Sequence, residues 1–175
     1  MVRAGTLGAI WLACLIFSST CCATSLKEVR IGLRVVDFLA VPLSPHSRLA
    51  ILYDSRNKDS QDDAKAILSW VIAERNGVKT SVVPVLVDVH SLDTALEFQI
   101  GFLAAGTEAS YAAVHDFART HGVLTISSDL SCVRAAKCSV GVLGAPRVEV
   151  SVNRQVLEAS GIVFSEAFRM MVTEY

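Results

Sequence analysis

Apolar residues recur at two spacings along this chain, and the alternation between the two predicts an α/β fold. Helical spacing of three and four residues begins at Leu26 and ends near Leu39. The short apolar run at residues 49–53 follows and is typical of a buried strand. A capping-box pattern at Ser60–Asp63 then predicts the start of a second helix, and Asn76-Gly77 predicts its end.

The same alternation continues after the second helix. Residues 78–89 are rich in β-branched side chains and predict a second strand, in spite of Pro84 near its middle. The elements predicted next are a short helix at residues 91–97, a third strand at 98–104, a helix capped by Gly106-Thr107 and ended by Gly122, and a fourth strand at 123–126.

The C-terminal part predicts a hairpin followed by two short helices. Residues 140–143 and 148–152 favour strands, and Gly144-Ala145-Pro146 between them favours a turn. Asn153 and Ser165 are each expected to cap a helix. Strands that alternate with helices at this spacing form βαβ units. The sequence therefore predicts an α/β three-layer sandwich, with a mostly parallel sheet and an antiparallel C-terminal hairpin edge.

The first 23 residues have a different pattern, which is typical of a secretory signal peptide. Arg3 lies near the amino end, residues 7–17 form an unbroken apolar run, and small and polar residues follow. This run is shorter than the roughly 20 residues of a membrane span, although a retained amino-terminal anchor stays an alternative. We expect cleavage between Ala23 and Thr24, which leaves one domain at residues 24–175 in the periplasm.

The cysteines agree with export. Cys14, Cys21 and Cys22 lie in the predicted leader. A lipoprotein cut before Cys21 or Cys22 is an alternative, but the preceding Ser-Ser-Thr lacks the expected leucine. Cys132 and Cys138 remain, and two nearby cysteines in an oxidising compartment predict a disulfide. A zinc pair or a redox pair is less favoured, because the histidines show no ligand spacing and redox pairs are typically C-x-x-C.

Composition and charge narrow the class of protein. The chain has 175 residues, of which 52% are hydrophobic and 19% are charged. This length suits a single domain with its own core and is too short for two lobes that clamp a ligand. With 16 basic and 17 acidic residues, the chain lacks the basic footprint of a nucleic-acid-binding protein.

No catalytic constellation is recognisable, and neither a cofactor nor a metal is expected. Residues 101–107 resemble a phosphate loop but lack its lysine, so plain helix capping is favoured over a small-anion site. Asp54, Asp59, Asp62 and Asp63 follow the first strand and are interpreted as caps and turns. No G-x-S-x-G elbow is present, and each histidine stands alone.

The C-terminal third carries a resemblance to a known family. Its components are residues 122–129 (GVLTISSD), the cysteine-bearing loop with Gly141, residues 148–153 (VEVSVN) and residues 159–165 (ASGIVFS). Together they resemble the YfiR-like family of periplasmic proteins. The chain has Val41-Pro42 where that family commonly has Trp-Pro.

The resemblance implies a non-enzymatic periplasmic regulatory or sensor protein, whose partner is the periplasmic part of an inner-membrane signalling protein. The family's namesake binds the outer portion of a membrane diguanylate cyclase and restrains cyclic-di-GMP synthesis, and disulfides steady its fold. The alternative hypothesis is a single-lobe solute-binding module associated with a transporter. The solute and the oligomeric state, including a homodimer, stay open.

Overall fold

The computed structural model describes residues 23–74, 82–95 and 97–175. The predicted leader at residues 1–22 and the predicted helix end at Asn76-Gly77 lie outside these ranges. Within them, no helix has the length and apolar character that crossing a membrane requires.

Strands and helices alternate along most of the described chain. The strands are β1 (Ser47–Tyr53), β2 (Val82–Asp88), β3 (Ile100–Leu103), β4 (Leu124–Ser127), β5 (Val140–Leu143), β6 (Glu149–Val152) and β7 (Thr173–Glu174). The α-helices are α1 (Leu26–Val35), α2 (Lys58–Ala73), α3 (Tyr111–His121), α4 (Leu130–Arg134), α5 (Arg154–Ala159) and α6 (Glu166–Arg169). Single 3₁₀ turns lie at Val36–Phe38, Leu92–Thr94 and Glu108–Ser110.

The strands form one sheet in the order β2-β1-β3-β4-β5-β6-β7. Strands β2, β1, β3, β4 and β5 are parallel, and β5 and β6 form the antiparallel hairpin, in which Val140 lies opposite Val152. The two-residue β7 adds in parallel beyond β6, so the hairpin lies next to the edge of the sheet and β7 is the edge itself. The predicted α/β class with a mostly parallel sheet is confirmed.

Both faces of the sheet are covered, as the continuous apolar run of β1 predicts. Leu49 and Ile51 point to the face that packs against α1 and α2. Ala50 and Leu52 point to the opposite face, where they share a core with Val114 of α3. The four β1 side chains are at most 1% exposed, so the core has one layer on each side of the sheet.

Helix α2 begins one turn earlier than the capping-box pattern at Ser60–Asp63 predicts. Its N-cap is Asn57, whose side-chain oxygen accepts a hydrogen bond from the backbone N–H of Asp59 at 3.0 Å. Ser60 lies inside the first turn, and its hydroxyl accepts from the backbone N–H of Asp54 at 3.1 Å. The predicted start is wrong because asparagine caps helices as well as serine does, and Asn57 comes first.

The predicted cap of α3 at Gly106-Thr107 is also wrong. Thr107 precedes a 3₁₀ turn rather than the helix, and its hydroxyl donates to the carbonyl of Ala104 at 2.8 Å. Helix α3 itself begins at Tyr111 without a side-chain cap. Its end is as predicted, because Gly122 takes the left-handed conformation with φ 66°.

The C-terminal caps are confirmed. The side-chain oxygen of Asn153 accepts from the backbone N–H of Val156 at 3.2 Å, and the hydroxyl of Ser165 accepts from Phe168 at 3.4 Å. The ring of Phe168 stacks on Phe38 with centroids 4.9 Å apart, which holds α6 against the end of the first helical segment. The short helix predicted at residues 91–97 is a single 3₁₀ turn at Leu92–Thr94.

The cysteine-bearing loop contains a helix that the sequence analysis did not predict. Cys132 lies in α4 and Cys138 lies two residues before β5, and the structure brings the two sulfur atoms to disulfide distance, with Cα atoms 5.3 Å apart. Both side chains are 0% exposed. The geometry therefore suits the predicted disulfide, whereas the oxidising compartment stays a prediction.

Candidate functional site

The strand order places a topological switch point between β1 and β3. Strand β1 lies between β2 and β3, so the chain leaves β1 toward one edge and returns past it to the other side. In open α/β sheets, ligands bind outside the carboxyl ends of the strands at such a switch point. The loops at this end follow β1, β2, β3 and β4, and we refer to them as the carboxyl-end loops (residues 54–57, 89–91, 104–107 and 128–129).

A small cleft opens between the carboxyl ends of β3 and β4. It has a volume of about 230 Å³ and is bordered by Leu103 and Ser127, the last residues of the two strands. We call it the carboxyl-end cleft. Its polar lining comes from the backbone of Ala105 and the side chains of Glu108, Tyr111, Ser127, Ser128 and Asp129.

The polar groups of this cleft are fixed by bonds to one another. The hydroxyl of Tyr111 donates to Oδ2 of Asp129 at 3.0 Å, and the backbone N–H of Asp129 donates to Oγ of Ser127 at 3.0 Å. Glu108 accepts from the backbone N–H of Gly106 at 3.1 Å. Burial and the neighbouring charge of Asp129 raise the pKa of Tyr111, so its phenol stays protonated and keeps its donor at neutral pH.

Asp63 lies beneath the loop after β3 and joins it to the start of the domain. Its carboxylate accepts three hydrogen bonds, from Thr24 N at 2.9 Å, from Thr24 Oγ1 at 2.8 Å and from Ala105 N at 2.8 Å. The hydroxyl of Thr24 also lies 3.2 Å from Oγ of Ser128 in the loop after β4. One buried side chain therefore positions residues from two carboxyl-end loops.

Asn57 and Gly106 join the loops that follow β1 and β3. The side-chain amide of Asn57 donates to the carbonyl of Gly106 at 3.2 Å. Gly106 has φ 78°, and a Cβ at this position would lie 2.5 Å from Nδ2 of Asn57. The close approach therefore requires glycine, both for its left-handed conformation and for the space.

Two carboxylates join the loops after β1 and β2. Oδ1 of Asp54 accepts from the backbone N–H of Arg56 at 2.8 Å and lies 2.9 Å from Nε2 of His90. Asp88 accepts from the backbone N–H groups of Ser55 at 3.3 Å and of His90 at 3.2 Å. The bonds from Arg56 and His90 lower the pKa of Asp54. Burial raises the pKa of Asp88, but the hydrogen bonds from Ser55 and His90 outweigh the effect of burial. The pKa of Asp88 is therefore lowered as well.

The acidic residues that the sequence assigns to caps and turns have different roles in the structure. Asp54 holds a turn, and Asp62 is an exposed partner of Lys58. Asp63 is 7% exposed and connects separate segments, a role that sequence analysis missed. The sequence spacing could have indicated that Asp63 is buried, because this residue lies four positions before Ile67 and therefore falls on the buried stripe of α2.

The histidines do not converge in the described residues. His90 bonds to Asp54, whereas His121 stacks on Phe117 with ring centroids 4.1 Å apart. In the part of the chain that the structure describes, no group of three or more His, Cys, Asp or Glu residues is arranged to hold a metal. Burial and the nearby charge of Lys137 lower the pKa of His115 on α3.

A larger cleft lies at the opposite end of the sheet. Its volume is about 490 Å³, and it is bordered by Ser47 at the start of β1 and by Gln99 just before β3. We call it the amino-end groove. Its larger volume favours this groove as a ligand site. The carboxyl-end cleft is favoured by its position at the carboxyl ends of the strands and by its convergent polar groups, because such polar groups orient a ligand. The amino-end groove has the polar lining residues Ser44, His46, Ser47, Arg48 and Gln99, and the apolar ones Leu39, Val41, Pro42, Leu43, Pro45, Ile162 and Val163.

The fold and the position of the cleft define a class of open, mostly parallel α/β domains, and two solved structures share this fold. One is the crystal structure of an ABC domain in complex with L-Trp from Streptococcus pneumonia, with a TM-score of 0.59 and 11% identity. The other is the ligand-free, open structure of CD0873, a substrate binding protein with adhesive properties from Clostridium difficile, with a TM-score of 0.64 and 14% identity.

The extent of these matches limits what they show. They cover 84% and 85% of this chain, but only 60% and 59% of the two solved chains. At these identities the likeness shows the fold alone. No protein-family model matches the sequence, and no curated protein matches it either. The resemblance to the YfiR-like family therefore stays a prediction.

Proposed function

We propose that this protein is a single-lobe solute-binding module that holds a small polar solute in the carboxyl-end cleft. The observation that carries this proposal is a cleft with polar side chains at the carboxyl ends of the parallel strands β3 and β4. Open α/β domains bind ligands outside the carboxyl ends of their strands, and β3 borders both the switch point and this cleft. The fold likeness to a substrate binding protein supports the same function.

Hydrogen bonds within the protein hold the polar groups of the cleft in place. Tyr111, Ser127 and Asp129 bond to one another, and Asp63 fixes the backbone of Ala105 below them. Ligand sites are usually preformed, because side chains that are ordered beforehand lose less conformational entropy on binding. The arrangement therefore suits recognition of a solute by fixed polar groups.

The polar groups of the cleft favour a solute that donates hydrogen bonds. Glu108 and Asp129 supply carboxylates, Ser127 and Ser128 supply hydroxyls, and neither lysine nor arginine is among the described residues that line the cleft. An ammonium group would meet complementary charge here, and an anion would be repelled. The volume of about 230 Å³ restricts the solute to a small molecule.

The place of the module in the cell rests on the sequence predictions. The leader predicts export, and cleavage between Ala23 and Thr24 would release the domain into the periplasm. A solute-binding module in that compartment would pass its solute to a membrane transporter, which is the partner that this proposal implies.

A thermal-shift screen of the exported, processed protein tests the proposal. The panel contains small amines, neutral amino acids and small carboxylic acids. A solute at 100 times its dissociation constant should stabilise the fold by about 2.7 kcal/mol. We expect amine-bearing members to raise the Tm, and a panel in which every member leaves the Tm unchanged would count against solute binding.

Paired variants locate the binding. Glu108→Gln removes one charge from the cleft and should weaken binding of an amine about tenfold, because a charged hydrogen bond is lost. The matched control is Glu158→Gln on α5, where an exposed glutamate pairs with Arg154 at 2.8 Å. The control should keep the affinity of the unchanged protein. Equal losses in both variants would place the solute outside the carboxyl-end cleft.

The regulatory function implied by the YfiR-like resemblance stays a separate prediction. Recovery of a membrane diguanylate cyclase with the exported protein would favour it over transport, and recovery of a permease would favour the solute-binding module. The absence of catalysis is likewise a prediction, and turnover on a substrate panel would contradict it.

A further inference from the structure

The predicted cleavage site coincides with a sharp change in burial. Ala23 is exposed, whereas Thr24 is 9% exposed and lies directly before the N-cap of α1 at Ser25. A peptidase that removes the leader between these residues would leave the new amino terminus inside the structure. Thr24 is therefore both the first predicted residue of the processed chain and a buried part of the fold.

The nitrogen of Thr24 lies 2.9 Å from Oδ1 of Asp63, and its hydroxyl lies 2.8 Å from Oδ2. The other donor to this carboxylate is the backbone N–H of Ala105 at 2.8 Å. All three donors are uncharged in the unprocessed chain. Among the described residues, no lysine, arginine or histidine pairs with Asp63.

A buried carboxylate without a cationic partner is unusual, because charges that are removed from water are normally paired. Cleavage would supply the missing cation. Hydrolysis of the Ala23–Thr24 peptide bond consumes one water, leaves a carboxylate on Ala23 and leaves an amine on Thr24, which takes a proton from solvent at neutral pH. The ammonium nitrogen then occupies the position from which the amide already donates.

We propose that Asp63 is the binding site for the α-ammonium group of Thr24 in the processed protein, so that removal of the leader creates an ion pair beneath the carboxyl-end cleft. The pair joins α2 to the amino terminus and, through Ala105 and Ser128, to the loops after β3 and β4. Formation of this ion pair rests on the predicted cleavage and is independent of solute binding.

Several other charged groups on the surrounding elements have partners of their own. On α1, Lys27 donates to the carbonyl of Gly144 at 2.6 Å, and Glu28 accepts from Ser25 N at 2.9 Å and Gly144 N at 3.0 Å. The charged groups on the other elements packed here are Asp59 and Asp62 of α2, Glu108 after β3 and Asp129 after β4. Asp63 is the charged side chain that contacts Thr24.

The pair has a defined pH dependence. An α-amino group ordinarily has a pKa of about 7.7–8.0, and an opposite charge at hydrogen-bond distance raises it by about one unit or more. A raised pKa in the folded state means that the stabilisation is fully present below the ordinary value. It is lost as the pH rises through the higher folded value, at about pH 9.

The first part of the experiment is mass spectrometry of the exported protein, which should show a chain that begins at Thr24. The second part is an NMR titration of its α-amino group, with the expected raised pKa. Asp63→Asn should return that pKa to the ordinary range, and the matched charge change Asp62→Asn should leave it raised. A purely structural role of Asp63 would not shift the titration of the amino terminus.

A chain that keeps Ala23 provides a comparison without altering Asp63. Its terminal amine lies one residue away from the carboxylate, so its titration should stay in the ordinary range. The Tm advantage of the processed chain over this longer one should be present at pH 7 and vanish by about pH 10. A processed chain that begins elsewhere, or a Thr24 amine that titrates at about 7.7–8.0, would overturn the proposal.

Discussion

The two ends of the sheet differ in how they are built. At the carboxyl end, hydrogen bonds connect the loops that follow β1, β2 and β3, and a cleft of about 230 Å³ lies between the ends of β3 and β4. At the amino end, a groove of about 490 Å³ is lined mainly by apolar residues, of which Val41 is 78% and Val163 is 62% exposed. The larger cavity therefore has the larger share of apolar lining residues.

This difference shows why volume alone does not identify the site. Apolar area supports binding without orienting a ligand, whereas convergent donors and acceptors supply specificity. The carboxyl end has such groups because parallel strands deliver all their following loops to one edge. Substitutions confined to one end should therefore separate the contributions of the two ends.

The largest effect is expected for Asp63→Ala at the carboxyl end. The substitution leaves three donors without their acceptor, two from Thr24 and one from Ala105. We expect a loss of about 3 kcal/mol in the free energy of unfolding, measured by urea denaturation. Asp62→Ala, its exposed neighbour, should change stability by no more than about 0.5 kcal/mol. Similar losses in the two variants would remove the distinction between them.

The disulfide provides a contrast, because neither Cys132 nor Cys138 lines the carboxyl-end cleft, although α4 begins directly after Asp129. Joint replacement of Cys132 and Cys138 by alanine should reduce stability by about 2 kcal/mol, since the closed loop is short. The affinity for a solute should stay within about twofold, because neither side chain contributes to the lining of the cleft. Non-reducing urea denaturation and a binding titration check the two parts, and a large loss of affinity would contradict this separation of stability from binding.

Two glycines with the same backbone conformation allow a direct comparison of the ends. Gly106 has φ 78° and Asn57 close to its missing Cβ, whereas Gly161 in the amino-end groove has φ 66° and nothing within 4 Å. Gly161→Ala should cost about 1 kcal/mol from backbone strain alone, and Gly106→Ala about 2 kcal/mol. Only Gly106→Ala should weaken solute binding. Equal effects on both properties would contradict the comparison.

The smallest effect is expected in acid. The pKa values of Asp54 and Asp88 are lowered in the folded state, so both carboxylates stabilise the protein above their ordinary pKa of 3.8. That stabilisation is lost as the pH falls through the lower folded values. Asp54→Asn should therefore show a shallower fall in Tm between about pH 5 and pH 2. An unchanged slope would mean that the His90 and Arg56 contacts leave its titration unaffected.

The elements could be predicted where the pattern is local. Caps at Asn153 and Ser165, the glycine end of α3 and the buried run of β1 each depend on a few adjacent residues. Helix α4 was missed because five residues are too few to show a helical period. The sequence predicts a cap at Thr107 because threonine commonly caps helices, but its hydroxyl bonds backward to Ala104, which residue type does not reveal.

The site could not be predicted because its contacts are distant in sequence. Asp63 binds Thr24 and Ala105, which are 39 and 42 residues away, and the sequence shows only an acidic residue in a helix. The strand order is equally hidden, since parallel strands are joined by crossovers whose direction the apolar pattern does not encode. The paired cysteines could be found because they lie only six positions apart.

The most direct measurement is NMR mapping of an amine-bearing solute from the thermal-shift screen onto the assigned backbone of the processed protein. We expect saturable shifts at the carboxyl-end cleft, centred on Ala105, Glu108 and Asp129, with the amino-end groove unchanged. Shifts centred on Val41, Pro42 and Val163 instead would place the site at the other end of the sheet and contradict the account.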